Sequence, residues 1–181
     1  MKIISISAAL LACLILSGCA LPTFLRDLFS PEKPLETVAN VDLEKYSGVW
    51  YSIESFPTWF EKGCTGTRAE YSLKENGRIR VINQCRRDNQ WKKSEGEAWP
   101  INEGDNSKLY VSFRKPFKGK YYIIDLAEDY SYALIGHPNR QYLWILARKS
   151  NIETDIITKL KNSAELHGFD ISRLRTVKHE P

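Results

Sequence analysis

The cysteine thiols and histidine imidazoles are the side chains with which this chain could do nucleophilic, metal-binding or acid–base chemistry. The sequence holds four cysteines and three histidines. The first informative thiol belongs to Cys19, which ends the run Leu16-Ser17-Gly18-Cys19. This run matches the bacterial lipobox, in which small residues admit a peptidase and the cysteine thiol takes a diacylglyceryl group. The sequence therefore predicts lipidation of Cys19; an ordinary signal peptide that ends in a chance cysteine is the alternative.

The residues around Cys19 predict export and anchoring. Lys2 provides a basic start, and the apolar run that follows it to Leu16 is too short for a comfortable membrane span and is typical of a secretory signal. We expect residues 1–18 to be cleaved as a lipoprotein signal peptide. Residues 19–40, which hold three of the chain's eight prolines, would then form a lipidated N-terminus and tether.

Ala20 and the charge balance indicate where the chain resides and what it does not bind. An aspartate after the lipidated cysteine would resemble the inner-membrane retention signal, whereas Ala20 favours the outer membrane. The acyl chains would anchor the chain there, with the folded domain facing the periplasm. The formal net charge is +4, without a basic cluster in the sequence, so nucleic acid is not an expected partner.

Cys64 and Cys85 are the two thiols that remain for the folded domain. The periplasm permits disulfides, and two leftover thiols in an exported domain usually pair. Such a bridge would add about 3 kcal/mol of stability in the chain-entropy model. A tight turn at Asn76-Gly77 would place residue 68, rather than residue 64, opposite Cys85. The predicted bridge therefore requires residues 61–65 to fold back over the neighbouring strand.

The central part of the chain has the alternating pattern of β-strands. Apolar and aromatic residues alternate with polar ones, and turn signals recur about every ten residues. Asn76-Gly77 is the clearest of these signals and predicts a type I′ hairpin turn. Short connections between antiparallel strands favour an all-β, eight-stranded up-and-down barrel over a sandwich. The predicted strands cover residues 48–57, 66–74, 78–86, 91–99, 107–114, 119–127, 131–136 and 141–148.

One α-helix is predicted after the last strand. Ser150 to Glu153 has the spacing of a capping box, and Gly168 supplies a stop signal. Between them, one helix face is apolar, which predicts that the helix packs outside the barrel; that face carries Ile156, Ile157, Leu160 and Ala164. A short strand over 174–178 would return to the sheet edge.

Four segments at matching spacing resemble a known family. They are Leu43 to Tyr51 with its Gly-x-Trp, Tyr71 to Gln84 around the Asn-Gly turn, Glu128 to Leu134, and Tyr142 to Arg148. In these segments the chain resembles the lipocalins, and among them the bacterial lipocalins and the apolipoprotein D group. The resemblance runs from about residue 43 to residue 177 and implies a lipocalin domain over residues 41–181.

The resemblance implies structural roles for the signature residues. Trp50 would close the narrow end of the barrel, Arg148 would lie over its indole, and Gly48 would let the backbone turn tightly into the first strand. A guanidinium over tryptophan gains about 2 kcal/mol when desolvated, and its donors can satisfy nearby carbonyls. Direct ligand contact by these three residues is the alternative.

Strand parity then assigns the barrel interior. If Trp50 and Arg148 face inward, so do residues two apart from them, and alignment with the family extends this to the other strands. The inward set is mostly apolar, which suits an alkyl chain. The predicted ligand-binding residues are Glu54, Phe56, Trp59, Phe60, Tyr71, Val81, Asn83, Leu109, Val111, Phe113, Ile123, Ile135, Tyr142 and Trp144.

Two groups in this set have more than one interpretation. Glu54 and Asn83 would either hydrogen-bond a ligand headgroup or trapped water, or lie solvated near the mouth. Trp59 and Phe60 lie where the family places its entrance lid, so they would gate the cavity, touch a membrane surface, or pack on the barrel rim. Whether the interior is filled or holds one ligand is not decided by the sequence, since an eight-stranded barrel allows both.

The predicted function is binding and storage or transport of a fatty acid or lysophospholipid in membrane maintenance or stress. No cofactor or metal is expected, because His137, His167 and His179 have no evident acid–base or ligand partner and no inward histidine suits haem. An enzyme that uses a cavity cysteine is disfavoured, because both thiols are assigned to a disulfide. The remaining alternative is a filled barrel that acts through its outer surface as an interaction module or homodimer.

Overall fold

The computed structural model describes residues 33–179, so the predicted signal peptide and the lipidation of Cys19 lie outside the described residues. From Leu35 onward, the described residues form one compact unit. Within the described range, no helix combines the length and the apolar character that a membrane span requires.

A closed antiparallel barrel dominates the described chain, as predicted. The strands follow one another around it in the order β2-β3-β4-β5-β6-β7-β8-β1, and pairing of β1 with β2 closes the sheet. The elements are α1 (Leu43–Tyr46), β1 (Gly48–Ser55), β2 (Thr65–Leu73), β3 (Ile79–Arg87), β4 (Gln90–Asn102), β5 (Asp105–Arg114), β6 (Phe117–Leu126), β7 (Tyr132–Gly136), β8 (Leu143–Ala147), α2 (Thr154–Leu166), a 3₁₀ turn (Ile171–Arg173) and β9 (Arg175–Thr176).

The predicted return strand over 174–178 is confirmed but shorter, since β9 covers Arg175–Thr176. It pairs with Glu54 and Ser55 of β1, beyond the point where β1 leaves β2 and its edge is free. The carbonyl of Lys178 accepts a bond from the Gly66 amide at 2.7 Å. The C-terminal segment therefore bridges β1 and β2 where they diverge.

A bulge in β1 makes the predicted inward position of Glu54 and Phe56 wrong. The pairing of β1 with β8 shifts between Ser52 and Glu54, so the side chain of Ile53 and that of Glu54 both point outward. Such a bulge inserts one extra residue and reverses the facing of every residue after it. Glu54 accordingly bonds Lys161 of α2 at 2.9 Å, and Phe56 packs outside the barrel.

The turn chemistry also differs from the prediction. Gly77 has φ +75°, but Asn76 does not, and the Gly77 amide donates to Lys74 O at 2.9 Å. This is a longer hairpin loop with glycine in the left-handed region rather than a type I′ turn. The two-residue turn with positive φ at both positions is Asp88-Asn89, between β3 and β4.

Helix α2 begins at Thr154, so the predicted capping box is not formed. Glu153 is the residue before the first turn and makes no side-chain capping bond, whereas Ile152 packs on the barrel wall. Glu153 keeps extended backbone angles, with φ −61° and ψ 140°, up to the start of the helix. The predicted apolar face is confirmed, since Leu160 and Ala164 are buried against the barrel.

Two apolar cores lie on opposite sides of the barrel wall. The inner core fills the end where β1 begins, and its largest fully buried side chains are Trp50, Tyr46, Leu109, Ile123 and Ile135. The outer core lies between the barrel wall and α2 and is formed by Leu35, Ile53, Phe56, Ile124, Leu134, Leu143, Ile145, Ala147, Leu160, Ala164, Phe169 and Leu174.

Residues 35–40, which the sequence assigns to the tether, lie against the barrel. Leu35 is buried in the outer core, and the Val38 amide donates to Ile123 O at 3.0 Å. Thr37 shares a 2.8 Å hydrogen bond with Ser107 on β5. The chain is therefore attached to the barrel before α1 begins.

Arg148 and Trp50 hold the closed end together. The guanidinium carbon lies 4.0 Å from the indole centroid, and its nitrogens donate to the carbonyls of Tyr130, Val49 and Lys45 at 3.1, 3.1 and 2.6 Å. The indole N–H donates to Tyr46 O at 2.8 Å. Gly48 has φ +100°, and a β-carbon there would lie 3.2 Å from the guanidinium. Each signature residue therefore has a structural contact that its replacement would disturb.

The Cys64–Cys85 disulfide is confirmed. A shift in the β2–β3 pairing between Thr65 and Arg68 places Thr65 opposite Arg86, and the two cysteine α-carbons lie 5.4 Å apart. The Cys64 amide donates to Glu61 O at 2.9 Å, which is the fold-back that the sequence requires.

Arg148→Lys is expected to lower the free energy of unfolding by about 2–3 kcal/mol, because an ammonium group cannot stack on the indole and reach three carbonyls together. Urea denaturation followed by far-UV circular dichroism measures the loss. The matched control is Arg80→Lys, whose guanidinium pairs with Glu95 on the exposed wall. Equal losses in the two variants would contradict the role of Arg148.

The double variant Cys64→Ser/Cys85→Ser is expected to lose about 3 kcal/mol of stability, because a closed loop with a sequence separation of 21 restricts the unfolded chain. Urea unfolding with and without reductant tests this. Reduction of the parent should reproduce the variant, and the variant should not respond to reductant. A parent midpoint that reductant leaves unchanged, with thiol labelling confirming reduction, is the opposing result.

Candidate functional site

A cavity of about 330 Å³ occupies the barrel above the inner core. Its volume lies at the lower end of the ~300–1,000 Å³ range of small-molecule sites. Exposed residues border it at one end, so it opens to solvent there. The lining residues are Ser52, Phe60, Glu61, Thr67, Arg68, Ala69, Tyr71, Val81, Asn83, Val111, Phe113, Gly119, Lys120, Tyr121, His137, Tyr142, Trp144 and Leu146.

The structure divides the predicted ligand-binding residues into those that line the cavity and those that do not. Leu109, Ile123 and Ile135 face inward but are packed in the inner core below the cavity. Trp59 is 82% exposed and lies outside it. The predicted residues that border the cavity are Phe60, Tyr71, Val81, Asn83, Val111, Phe113, Tyr142 and Trp144.

Three tyrosine hydroxyls form the floor of the cavity. Tyr121 Oη lies 2.7 Å from Tyr46 Oη and 3.1 Å from Tyr71 Oη. Burial raises the pKa of Tyr71 to about 12 and raises those of Tyr46 and Tyr121 well above their ordinary value. The floor is therefore neutral and satisfies its hydroxyls internally. Sequence reasoning missed Tyr121, although it lies two residues before Ile123 and so shares its face.

An aromatic ladder forms one wall near the mouth. Tyr142 and Trp144 are stacked with ring centroids 6.0 Å apart. His137 and Tyr142 meet edge to face, with ring centroids 5.9 Å apart. Burial lowers the pKa of His137, and the nearby charge of Lys120 lowers it further. The hydrogen bond between His137 and Asn139 opposes both effects. His137 is therefore neutral at neutral pH and contributes a flat, weakly polar surface.

Glu61 is the carboxyl group at the mouth, and sequence reasoning did not select it. Its Oε2 accepts from Thr58 Oγ1 at 2.8 Å and from Trp144 Nε1 at 3.5 Å. Burial raises the pKa of Glu61, while these two donors lower it. The spacing of Thr58 and Glu61, a Ser/Thr followed three residues later by Glu, is the sequence signal that could have found this pair.

Ser52 adds an unpaired polar atom to the cavity wall. Its hydroxyl is buried and has no hydrogen-bond partner among the described protein atoms. A buried hydroxyl without a partner costs about 1–3 kcal/mol. A ligand hydroxyl or ester oxygen that reaches Ser52 would remove this cost, so the wall offers one specific polar contact in an otherwise apolar space.

The arrangement suits binding of an apolar chain with a polar head near the mouth. Val81, Val111 and Leu146 supply aliphatic contacts, and Phe60 and Phe113 border the opening.

Among residues 33–179 no group of three histidine, cysteine or acidic side chains is close enough to hold a metal ion.

Comparison with known proteins agrees with this geometry. The lipocalin-like domain family matches residues 41–179. Outer membrane lipoprotein Blc of Citrobacter freundii is 36% identical over 180 residues, covering 98% of each chain. Apolipoprotein D of Macaca fascicularis is 40% identical over 151 residues, covering 78% of each. Insecticyanin of the tobacco hornworm, 18% identical, shares the fold with a TM-score of 0.68 over 82% of this chain and 86% of its own. The chain belongs to the lipocalin family.

Proposed function

We propose that this lipocalin binds one single-chain amphiphile, a fatty acid or a lysophospholipid, and stores or carries it during membrane maintenance or stress. The observation that carries the proposal is the apolar cavity of about 330 Å³ that opens at one end of the barrel. An alkyl chain would lie between Val81, Val111 and Leu146, with the head near Glu61 and Trp144. Binding without chemical turnover is part of the proposal.

The relatives support the location that the sequence predicts. Proteins of this length and similarity from Citrobacter freundii and Vibrio cholerae are named outer membrane lipoproteins. We place this chain at the outer membrane as well, anchored through Cys19 and facing the periplasm. The second candidate, a homodimer or surface interaction module, is supported by the exposed Leu166 at the end of α2, and sedimentation analysis of the unlipidated chain tests it.

Titration of a delipidated chain that starts at residue 20 tests the binding proposal, since it retains the whole compact unit from residue 35 onward. Oleic acid and lyso-oleoylphosphatidylcholine are each added, and tryptophan fluorescence is followed because Trp144 lines the cavity. Saturable binding of one ligand per chain is expected. Val111→Trp is expected to weaken it at least about tenfold, because an indole there displaces several methylene groups.

The matched control for Val111→Trp is Tyr110→Trp, which adds the same indole on the outer face of the same strand. Tyr110 contacts Trp99 and the Lys118 ammonium outside the barrel. The control should bind like the parent. The proposal would be contradicted by a folded parent that binds neither lipid, or by a Val111→Trp variant that binds as tightly as the control.

Glu61 gives the binding a dependence on pH. Its raised pKa means that the folded protein holds this proton to higher pH than a free glutamate does, and the carboxylate forms as pH rises through that value. A carboxylate ligand head would then be repelled. Glu61→Gln is therefore expected to strengthen oleate binding about tenfold at about pH 8, and the difference should shrink as the pH falls through the raised pKa of Glu61.

Comparing parent and variant at each pH keeps the ionisation of oleic acid the same in both proteins. Lysophosphatidylcholine, whose head carries no net charge, is the second control and should bind parent and Glu61→Gln alike throughout the pH range. Oleate affinities that remain equal in the two proteins throughout the pH range would show that Glu61 does not face the bound head.

A further inference from the structure

The exposed aromatic side chains of residues 33–179 gather at the open end of the barrel. Antiparallel strands alternate in direction, so the connections after β1, β3, β5 and β7 all lie at the end opposite Trp50. Phe60, Phe113 and His137, from three of these regions, border the same cavity. The exposed aromatics at this end are Trp59 at 82%, Phe117 at 72%, Trp91 at 46%, Phe60 at 44% and Phe113 at 43%.

Cations surround these aromatics. The mouth segments are residues 56–63, 87–93, 113–120 and 137–141, and their acidic residues are Asp88 and the half-buried Glu61. Folding brings their basic residues around one opening, although they are scattered in the sequence. The exposed cations of the mouth segments are Lys62, Lys92, Lys93, Arg114, Lys115, Lys118 and Lys120.

Acidic residues outnumber basic ones at the opposite end of the barrel. Its segments, residues 42–45, 74–78, 102–105, 127–131 and 148–149, carry the basic residues Lys45, Lys74, Arg78, Arg148 and Lys149. Two of these are paired with Glu97 on the barrel wall. The acids there are Asp42, Glu44, Glu75, Glu103, Asp105, Glu128 and Asp129. The charge of the molecule is therefore polarised along the barrel axis.

We propose that the open end is a docking face for an anionic phospholipid bilayer. Aromatic side chains are enriched at the membrane–water interface, and each lysine or arginine near an anionic surface adds to the attraction. Trp59 and Phe117 project furthest into solvent and enter the headgroup region, while the lysines of the mouth segments contact the phosphates. The acidic end faces away from the bilayer.

Docking in this orientation places the cavity mouth on the bilayer. Phe60 and Phe113 border both the cavity and the docking face, so an alkyl chain moves between bilayer and barrel along apolar side chains. This use of the face rests on the proposed function, whereas the docking itself does not depend on which ligand the cavity holds.

Vesicle co-sedimentation of the unlipidated chain from residue 20 tests the docking. Vesicles of phosphatidylcholine alone are compared with vesicles that also contain phosphatidylglycerol, at low and at high salt. Binding is expected to the anionic vesicles and to weaken with salt. Brominated acyl chains should quench part of the tryptophan emission, and Trp59→Phe should remove most of that quenching.

Two pairs of variants locate the face. Lys62→Glu/Lys115→Glu should weaken binding to anionic vesicles at least about 30-fold, because each cation near the surface contributes about a fivefold factor. Its control, Lys149→Glu/Lys159→Glu, alters exposed lysines away from the mouth and should change binding far less. Trp59→Ser/Phe117→Ser should lose about tenfold or more, whereas Leu73→Ser at the closed end should not.

The results separate this proposal from the proposed function. Lys62→Glu/Lys115→Glu should bind lyso-oleoylphosphatidylcholine in solution like the parent, since neither lysine lines the cavity and the head of this ligand carries no net charge. Vesicle binding without lipid uptake would leave the docking face standing and reject the carrier function. The docking proposal is contradicted if the parent does not bind anionic vesicles or binds neutral vesicles equally well. It is also contradicted if the open-end variants bind anionic vesicles as tightly as the parent. Dimerisation abolished by the same variants would also overturn it, in favour of a face that binds a second copy.

Discussion

Closure of one end of the barrel is the constraint on which the rest of the structure depends. Trp50 fills the bottom, Arg148 covers its indole, and the guanidinium satisfies three carbonyls that strand ends would otherwise leave unpaired. The hydroxyls of Tyr46, Tyr71 and Tyr121 then bond to one another above this layer. Because this end is filled, a ligand can enter only from the other end.

The bulge in β1 changes which residues of this strand face the barrel interior and which face the outer core. Before the bulge, Trp50 and Ser52 face the interior; at and after it, Ile53, Glu54 and Phe56 face α2. The extra residue adds Glu54 and Phe56 to the outward-facing positions of β1, where regular alternation would have turned them inward. The Glu54–Lys161 pair therefore attaches the helix to the strand that closes the barrel, rather than binding a ligand head.

The sequence predicted the fold and the disulfide because these depend on strand period and residue type, and it predicted the signature contacts through the resemblance to the lipocalins. Parity failed at Glu54, since a bulge depends on how β1 packs against both α2 and β8 and leaves no local pattern. The alternation of inward and outward residues also could not distinguish Ile123, in the packed core, from Val111, beside the cavity. Both face inward, and the side chains opposite them decide where the core ends and the cavity begins. Glu61 was missed because a loop has no period from which its facing could be read.

The depth of the cavity follows from residue size along two strands. On β6 the inward positions change from Ile123 in the core to Tyr121 at the floor and then to Gly119, beside which a β-carbon would meet no atom within 4 Å. On β4, a β-carbon added at Gly96 would lie 2.5 Å from the Ser112 carbonyl oxygen and 2.8 Å from the Phe113 ring, so only glycine allows β5 to approach this closely. Gly119 thus leaves space beside the cavity, and Gly96 allows the strand that carries Phe113 to pack against β4. A larger side chain at Gly119 would enter the cavity on the same backbone, so residue size at a few inward positions, as well as the fold, sets the volume of the cavity.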